Sequence, residues 1–437
     1  MVVQESMELA DTVGERAYPL REPEDLDPLL ERIGDAHCVL LGEASHGTSE
    51  YYSWRARISE RLIQERGFSF IAVEGDWPDC YEVNRYVKGY RDSGRSAREL
   101  LRAFERWPTW MWANEEILEF AEWLRQYNVG LPEEERIGFY GLDVYSLWES
   151  MEAVIEYLER VDPEAVDTAR RAYECFEPYG EDVREYARAT AFVPTSCEDE
   201  VVEMLSKLGN RLPEYRDEPE SRLSAEQNAL VVRGAERYYR AMVRGGSYSW
   251  NVRDCHMVET LDRLMRYHGP DAKAIVWEHN THIGDARYTD MADVGMVNVG
   301  QLVRQRRGAE DVALVGFGSH RGSVIAGAEW GAPMKRMPVP SAREGSWEDI
   351  LHRTGEEDKL LVFAGGEDED GLLEPRAHRA IGVVYDPAYE RFGNYVPTVL
   401  PRRYDAFLYI DETQALHPLH IRARENGEPP ETFPSGE

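Results

Sequence analysis

The chain has 437 residues, 42% of them hydrophobic and 11% aromatic, and a formal charge of −32. That composition supports a packed core in one large domain with an insertion, or in two domains. The negative excess argues against nucleic acid and anionic membranes as main partners.

Residues 1–22 read as a loose lead-in, and 24–33 as a helix stopped by Gly34. The apolar run 38–41 reads as a strand buried on both faces, and it ends in Gly42-Glu43-Ala44-Ser45-His46-Gly47. Thr48 or Ser49 then caps a helix in which Tyr51, Trp54, Ile58 and Leu62 recur at helical spacing until Gly67. A second buried strand, 70–73, ends in Glu74-Gly75-Asp76, which closes a βαβ unit of parallel strands. The aromatic run 107–112 could line an apolar pocket, and reads by default as core. Further strands are expected at 137–142, ending in Asp143, and at 272–278, leading into His279-Asn280-Thr281-His282. Later strands are expected at 312–318, 359–364, 380–385 and 406–410.

Between 147 and 268 the pattern is helical, with Pro163, Ser224 and Asn251 as starts and Gly245, Gly246 and Gly269 as stops. The expected fold is therefore α/β. A mostly parallel central sheet is flanked by helices, and a helical lobe is inserted over the carboxyl ends of the strands. The parts are 15–146, the lobe 147–268, 269–422, and a disordered tail at 423–437.

Five scattered cysteines with no CxxC pair argue against a disulfide framework and fit a reducing cytoplasm. The acidic start has no apolar h-region, so no signal peptide is expected, and no stretch approaches membrane-spanning length. Lysine occurs only at positions 88, 207, 273, 335 and 359. Salt adaptation and GC-rich codon usage both account for that. Under salt adaptation the melting temperature should rise with sodium chloride, because the screening length falls from ~30 Å at ~0.01 M to ~3 Å at ~1 M. A flat or falling melting temperature over that range leaves codon usage as the explanation.

Three buried strands deliver carboxylates or imidazoles beyond their carboxyl ends, the edge where open α/β sheets bind ligands. His46 sits in a turn whose flanking Gly42 and Gly47 permit close approach, and Glu43 or Glu74 could orient its imidazole. Arg55 lies on the buried stripe of its helix and needs an anion. His279 and His282 are three residues apart, so both fall on one face if a helix starts there. There is no HExxH, no G-x-S-x-G elbow and no phosphate-binding loop. Arg253 with Asp254, and His320 with Arg321, form a second tier of candidates.

Gly42-Glu43-Ala44-Ser45-His46-Gly47, Val73-Glu74-Gly75-Asp76-Trp77-Pro78, Gly138-Phe139-Tyr140-Gly141-Leu142-Asp143, Asn251-Val252-Arg253-Asp254 and His279-Asn280-Thr281-His282 occur in this order. Together with Gly316-Phe317-Gly318-Ser319-His320-Arg321-Gly322, they resemble the erythromycin esterase family over residues 15–420. The resemblance implies an α/β fold with a helical lobe and a deep cleft. It also implies water-mediated opening of a lactone ester without a covalent intermediate. The histidine matching His46 acts there as general base, surrounded by the residues matching Glu43, Arg55, Glu74, His279 and His282. Asp76, Trp77, Asp143, Arg253, His320 and Arg321 are then expected at a small-molecule ester substrate, with no cofactor. Two alternatives stand beside this reading. One is a divalent metal held by His46, His279 and His282 with Glu43 or Glu74. The other is a non-catalytic binder of a small ligand or haem.

Overall fold

The computed structural model describes residues 2–90, 94–179, 186, 197–208, 220–242, 247–364 and 371–420. Its strands are β1 (Tyr18–Pro19), β2 (Cys38–Leu41), β3 (Phe70–Val73), β4 (Gly138–Gly141), β5 (Ala274–Trp277) and β6 (Val312–Ala326). They continue as β7 (Lys335–Val339), β8 (Lys359–Val362), β9 (Arg376–Arg379), β10 (Tyr395–Thr398) and β11 (Ala406–Thr413). The main sheet runs β1-β8-β11-β6-β2-β5-β3-β4, with β7 on β6, while β9 and β10 form a separate pair. From β11 to β4 every neighbouring pair is parallel; β8, β1 and β7 join antiparallel.

The apolar runs are continuous because both sheet faces are covered. Val39, Leu41, Ile71, Val73, Ile275 and Trp277 point into one core. Their alternates Cys38, Leu40, Phe70, Ala72, Ala274 and Val276 point into another. The period of two along each strand thus divides every run between two hydrophobic layers.

The helical stretch expected over 147–268 divides by packing. Helices Leu147–Val161, Val166–Phe176 and Ser221–Met242 share a core of their own, including Met151, Val154, Ala169, Phe176, Ala229 and Val232. Helix Ser247–His268 instead lays Met257, Val258, Leu261 and Leu264 on the sheet. Asn251 is inside this helix rather than at its start, and its side chain bonds the backbone of Gly295 and Val297.

Other expectations are corrected. The lead-in contains helix Val2–Arg16, whose Leu9, Ala10 and Val13 are buried in the second core. Residues 380–385 form no strand. Their backbone is spent on single bridges, Ile381 to Ser45 and Val384 to Gly327, and the strand pairing falls on β9 just before them. Cys175 and Cys197 form a disulfide with Cα atoms 5.9 Å apart, against the expectation that the scattered cysteines build no disulfide framework. The 423–437 tail lies outside the described residues. No helix among the described residues is long and apolar enough to cross a membrane.

Candidate active site

The sheet register builds the site. Leu41 and Val73 both pair with Trp277, and Val73 pairs with Gly141, so β2, β5, β3 and β4 end level. The next residues of each strand therefore emerge side by side: Glu43, Glu74, Asp143, and Glu278 with His279. Backbone bonds lock the edge, from Asn280 to the Glu43 carbonyl and from Asp143 to the Gly75 carbonyl, at 2.9 and 3.0 Å. The two glycines around His46 serve close approach. A Cβ on Gly42 would collide with Asn280 Oδ1, and one on Gly47 with the Ile325 carbonyl.

Two clusters form on this edge. In the first, Glu43 Oε1 accepts from His46 Nδ1 at 2.8 Å, and Glu43 Oε2 accepts from Arg55 Nη2 at 2.8 Å. His46 is only 2% exposed. The Arg55 guanidinium is fully buried between the rings of Tyr52 and Trp277, 4.2 and 4.9 Å from their centroids. Glu43, not Glu74, is thus the carboxylate that orients His46, and Arg55 anchors that carboxylate from behind.

The second cluster centres on Arg253. Its Nε and Nη2 donate to the two oxygens of Asp143 at 3.0 and 2.7 Å, and Nη2 also donates to Glu74 Oε1 at 2.8 Å. His282 Nδ1 meets both Asp254 oxygens at 3.0 and 3.1 Å, and its Nε2 lies 3.4 Å from Glu74 Oε1. Trp250 stacks on the His282 ring at 4.4 Å. Arg253 Nη1 lies 3.1 Å from His282 Nε2, so the two side chains sit side by side and share Glu74.

His279 bridges the clusters. Its ring is 4.8 Å from that of His46, and its backbone N–H donates to Glu74 Oε2 at 2.8 Å. The Thr281 backbone N–H donates to His279 Nδ1, which fixes Nδ1 as an acceptor and leaves the ring proton on Nε2. Nε2 is buried without a short hydrogen bond, and the Ala44 backbone favours its proton.

Electrostatics separate the charge states. Burial lowers His279, and the neighbouring His46 and His282 push it further, well below the ordinary value, so it is neutral. For His282, burial also opposes the charge, but Asp254 and Glu74 outweigh it and raise the imidazole to about 9. Burial would raise Asp143, yet Arg253 holds it down to about 2. Glu74 is likewise held below its ordinary value by His282, His46 and Arg253 against the effect of burial. Glu278, buried with both oxygens unpartnered, is pushed well above the carboxylate range by desolvation and is a neutral acid.

A cavity adjoins this edge. Glu74, Asp76, Asp143 and Arg253 line it, with Asp79, Arg106, Tyr145, Trp330 and much of the aromatic run 107–112. That run is therefore a cavity wall, not only core. Trp77 departs from its expected place. It stacks on Tyr81 and Tyr140 and donates to Ser224 Oγ, away from the cavity. His320 and Arg321 depart as well. His320 stacks on His352 at 3.7 Å, and Arg321 pairs with exposed Glu412. Among the described residues, no three His, Cys, Asp or Glu side chains are placed to hold a metal ion. Sequence reasoning missed Glu278, Trp250, Arg106 and Tyr145. Only Glu278 carried a signal, as the residue before His279 at a strand end.

A sequence model described as erythromycin esterase matches residues 63–413, starting after Glu43, His46 and Arg55. An erythromycin esterase type II of Escherichia coli is 22% identical over 369 residues, 79% of this chain and 85% of that protein. A solved succinoglycan biosynthesis protein aligns at 22% identity with a TM-score of 0.76, covering 94% of this chain and 98% of its own. An erythromycin esterase mutant in its open conformation aligns at 16% identity with a TM-score of 0.66, covering 91% and 97%. These structures share the fold, and the family model spans most of the sequence: the chain belongs to the erythromycin esterase family.

Proposed function

We propose that this protein is a hydrolase of carboxylic esters, macrolide lactones among them, that uses water activated by His46. The observation that carries the reading is the buried Arg55–Glu43–His46 relay, with 2.8 Å at both links. Glu43 accepts the Nδ1 proton, so the His46 lone pair is on Nε2, the nitrogen that takes a proton from water. The neutral His279 offers its Nε2–H to the oxyanion that forms on the carbonyl oxygen. Arg253 and the protonated His282 add positive charge at the same edge, balanced in the resting state by Glu74, Asp143 and Asp254. Arg55 is spent on Glu43 and acts as a positioning residue.

The test is turnover of a panel of macrolide lactones and simple esters in ¹⁸O-labelled water. One label should enter the acid product and none the alcohol. A panel with no turnover, or label in the alcohol, overturns the reading.

The pH dependence follows from His282. Its folded value is raised to about 9, so its contribution to stability is complete below the unfolded imidazole value and lost as pH rises through about 9. Activity should fall over the same alkaline limb. In His282→Gln that limb should disappear from both the stability and the rate profile. A wild-type rate that stays level through this range contradicts the assignment of a charged His282.

A further inference from the structure

Among the described residues, the cavity beside the proposed centre is lined by more carboxyl groups than its own cations pair with. Asp76 caps helix Trp77–Val87 without making a side-chain capping bond, and Asp79 follows one turn later. Both line the cavity. Asp76 Oδ2 accepts from Arg106 Nε, but Asp76 Oδ1 is buried with no partner, in a residue only 6% exposed. The Asp79 side chain makes no hydrogen bond or ion pair among the described residues. The nearest cation is already engaged, since Arg106 pairs with Asp76 and lies 5.0 Å over the Tyr145 ring. Burial, compounded by Asp76 and Glu149, raises Asp79 to about 8, and burial raises Asp76 to about 6 in spite of Arg106. Trp107, Trp112 and Trp330 also line the cavity, the first and last with ring centroids 4.5 Å apart.

A carboxyl pair without a matching cation, in a cavity also lined by indoles, is an environment that attracts an organic cation. A bound cation favours the ionised forms of Asp76 and Asp79, and the indoles supply an apolar surface with a negative quadrupole. A hydrated metal ion would gain nothing from the indoles, and an anion would meet two carboxylates. We propose that this cavity is a subsite for an ammonium group, a tertiary or quaternary amine that docks against Asp76 and Asp79 and on the faces of Trp107 and Trp330. The further statement that the amine belongs to the ester being cleaved rests on the hydrolase reading. The binding of the cation does not.

The test uses binding, which needs no turnover. Wild-type protein is titrated by calorimetry at a pH above about 8, where Asp79 is ionised, with choline and with its uncharged isostere, in which a quaternary carbon replaces the nitrogen. Choline should bind tighter by roughly tenfold or more. In Asp79→Asn the preference should collapse toward parity while the isostere binds as before, which also shows that the variant is folded. His46→Ala should keep the full preference, so a failed esterase assignment would leave this result untouched. Equal affinities in the wild type, no detectable choline binding, or an undiminished preference in Asp79→Asn would each overturn the subsite.

Discussion

Replacing His46 with alanine is expected to lower the rate of ester hydrolysis by about 10²–10⁴-fold, the range for loss of a positioned general base. Far-ultraviolet circular dichroism and the cooperativity of unfolding should be unchanged. The substitution removes a ring from a turn that is otherwise held by backbone bonds from Ile325 and Leu416 to the Gly47 carbonyl. Glu43→Gln makes a sharper probe. The amide can still sit between His46 and Arg55, but it can present an N–H to Nδ1, favouring the tautomer with its proton on Nε2 and so blocking the base. It should lose activity on a scale close to that of His46→Ala, with substrate affinity nearly intact. A His46→Ala protein that turns over esters at the wild-type rate would remove His46 from the mechanism, whatever the other variants do.

The edge that carries this chemistry was visible in the sequence because its strands are short, apolar on both faces and abruptly terminated. Glu43, His46, Glu74, Asp143 and His279 follow those runs directly, so the strand ends alone place them together. The choice between Glu43 and Glu74 as the partner of His46 was not visible. It depends on how the turn after β2 folds against β5, which is set by the bond from Asn280 to the Glu43 carbonyl. Trp77 was misplaced because adjacency in a motif is not adjacency on a helix. Asp76 and Asp79, three apart, share a face, while Trp77 is rotated into the core. His320 and Arg321 failed for a similar reason. The β2 pairing with β6 ends at Leu41 opposite Val315, and β6 runs on well past that level, carrying both residues beyond the site. The Cys175–Cys197 bond has no local signature either, since the two thiols meet only through the packing of the helical lobe.

Arg253→Met is expected to produce the largest loss of stability, about 3–5 kcal/mol, the range for removing one partner of a buried ion pair. The Arg253 side chain is 4% exposed and its fork is filled by Asp143 and Glu74. Methionine fills much of the volume but leaves two buried carboxylates facing each other near Asp254 and the neutral Glu278. Asp143 is the more exposed to this change, because Arg253 is the main influence holding it down to about 2. Its contribution to wild-type stability is present above the unfolded carboxylate value and is lost only as pH falls through about 2. In Arg253→Met that contribution should vanish, and lowering the pH toward the carboxylate range should recover part of the lost stability by protonating the abandoned group. The double variant Arg253→Met with Asp143→Asn should be markedly more stable than the single one, because the second change removes the uncompensated charge. Urea unfolding midpoints of the three proteins at neutral and mildly acidic pH would measure this. If the single and double variants unfold together, the cost is one of lost packing, and the ion pair is not what holds helix Ser247–His268 to the ends of β3 and β4.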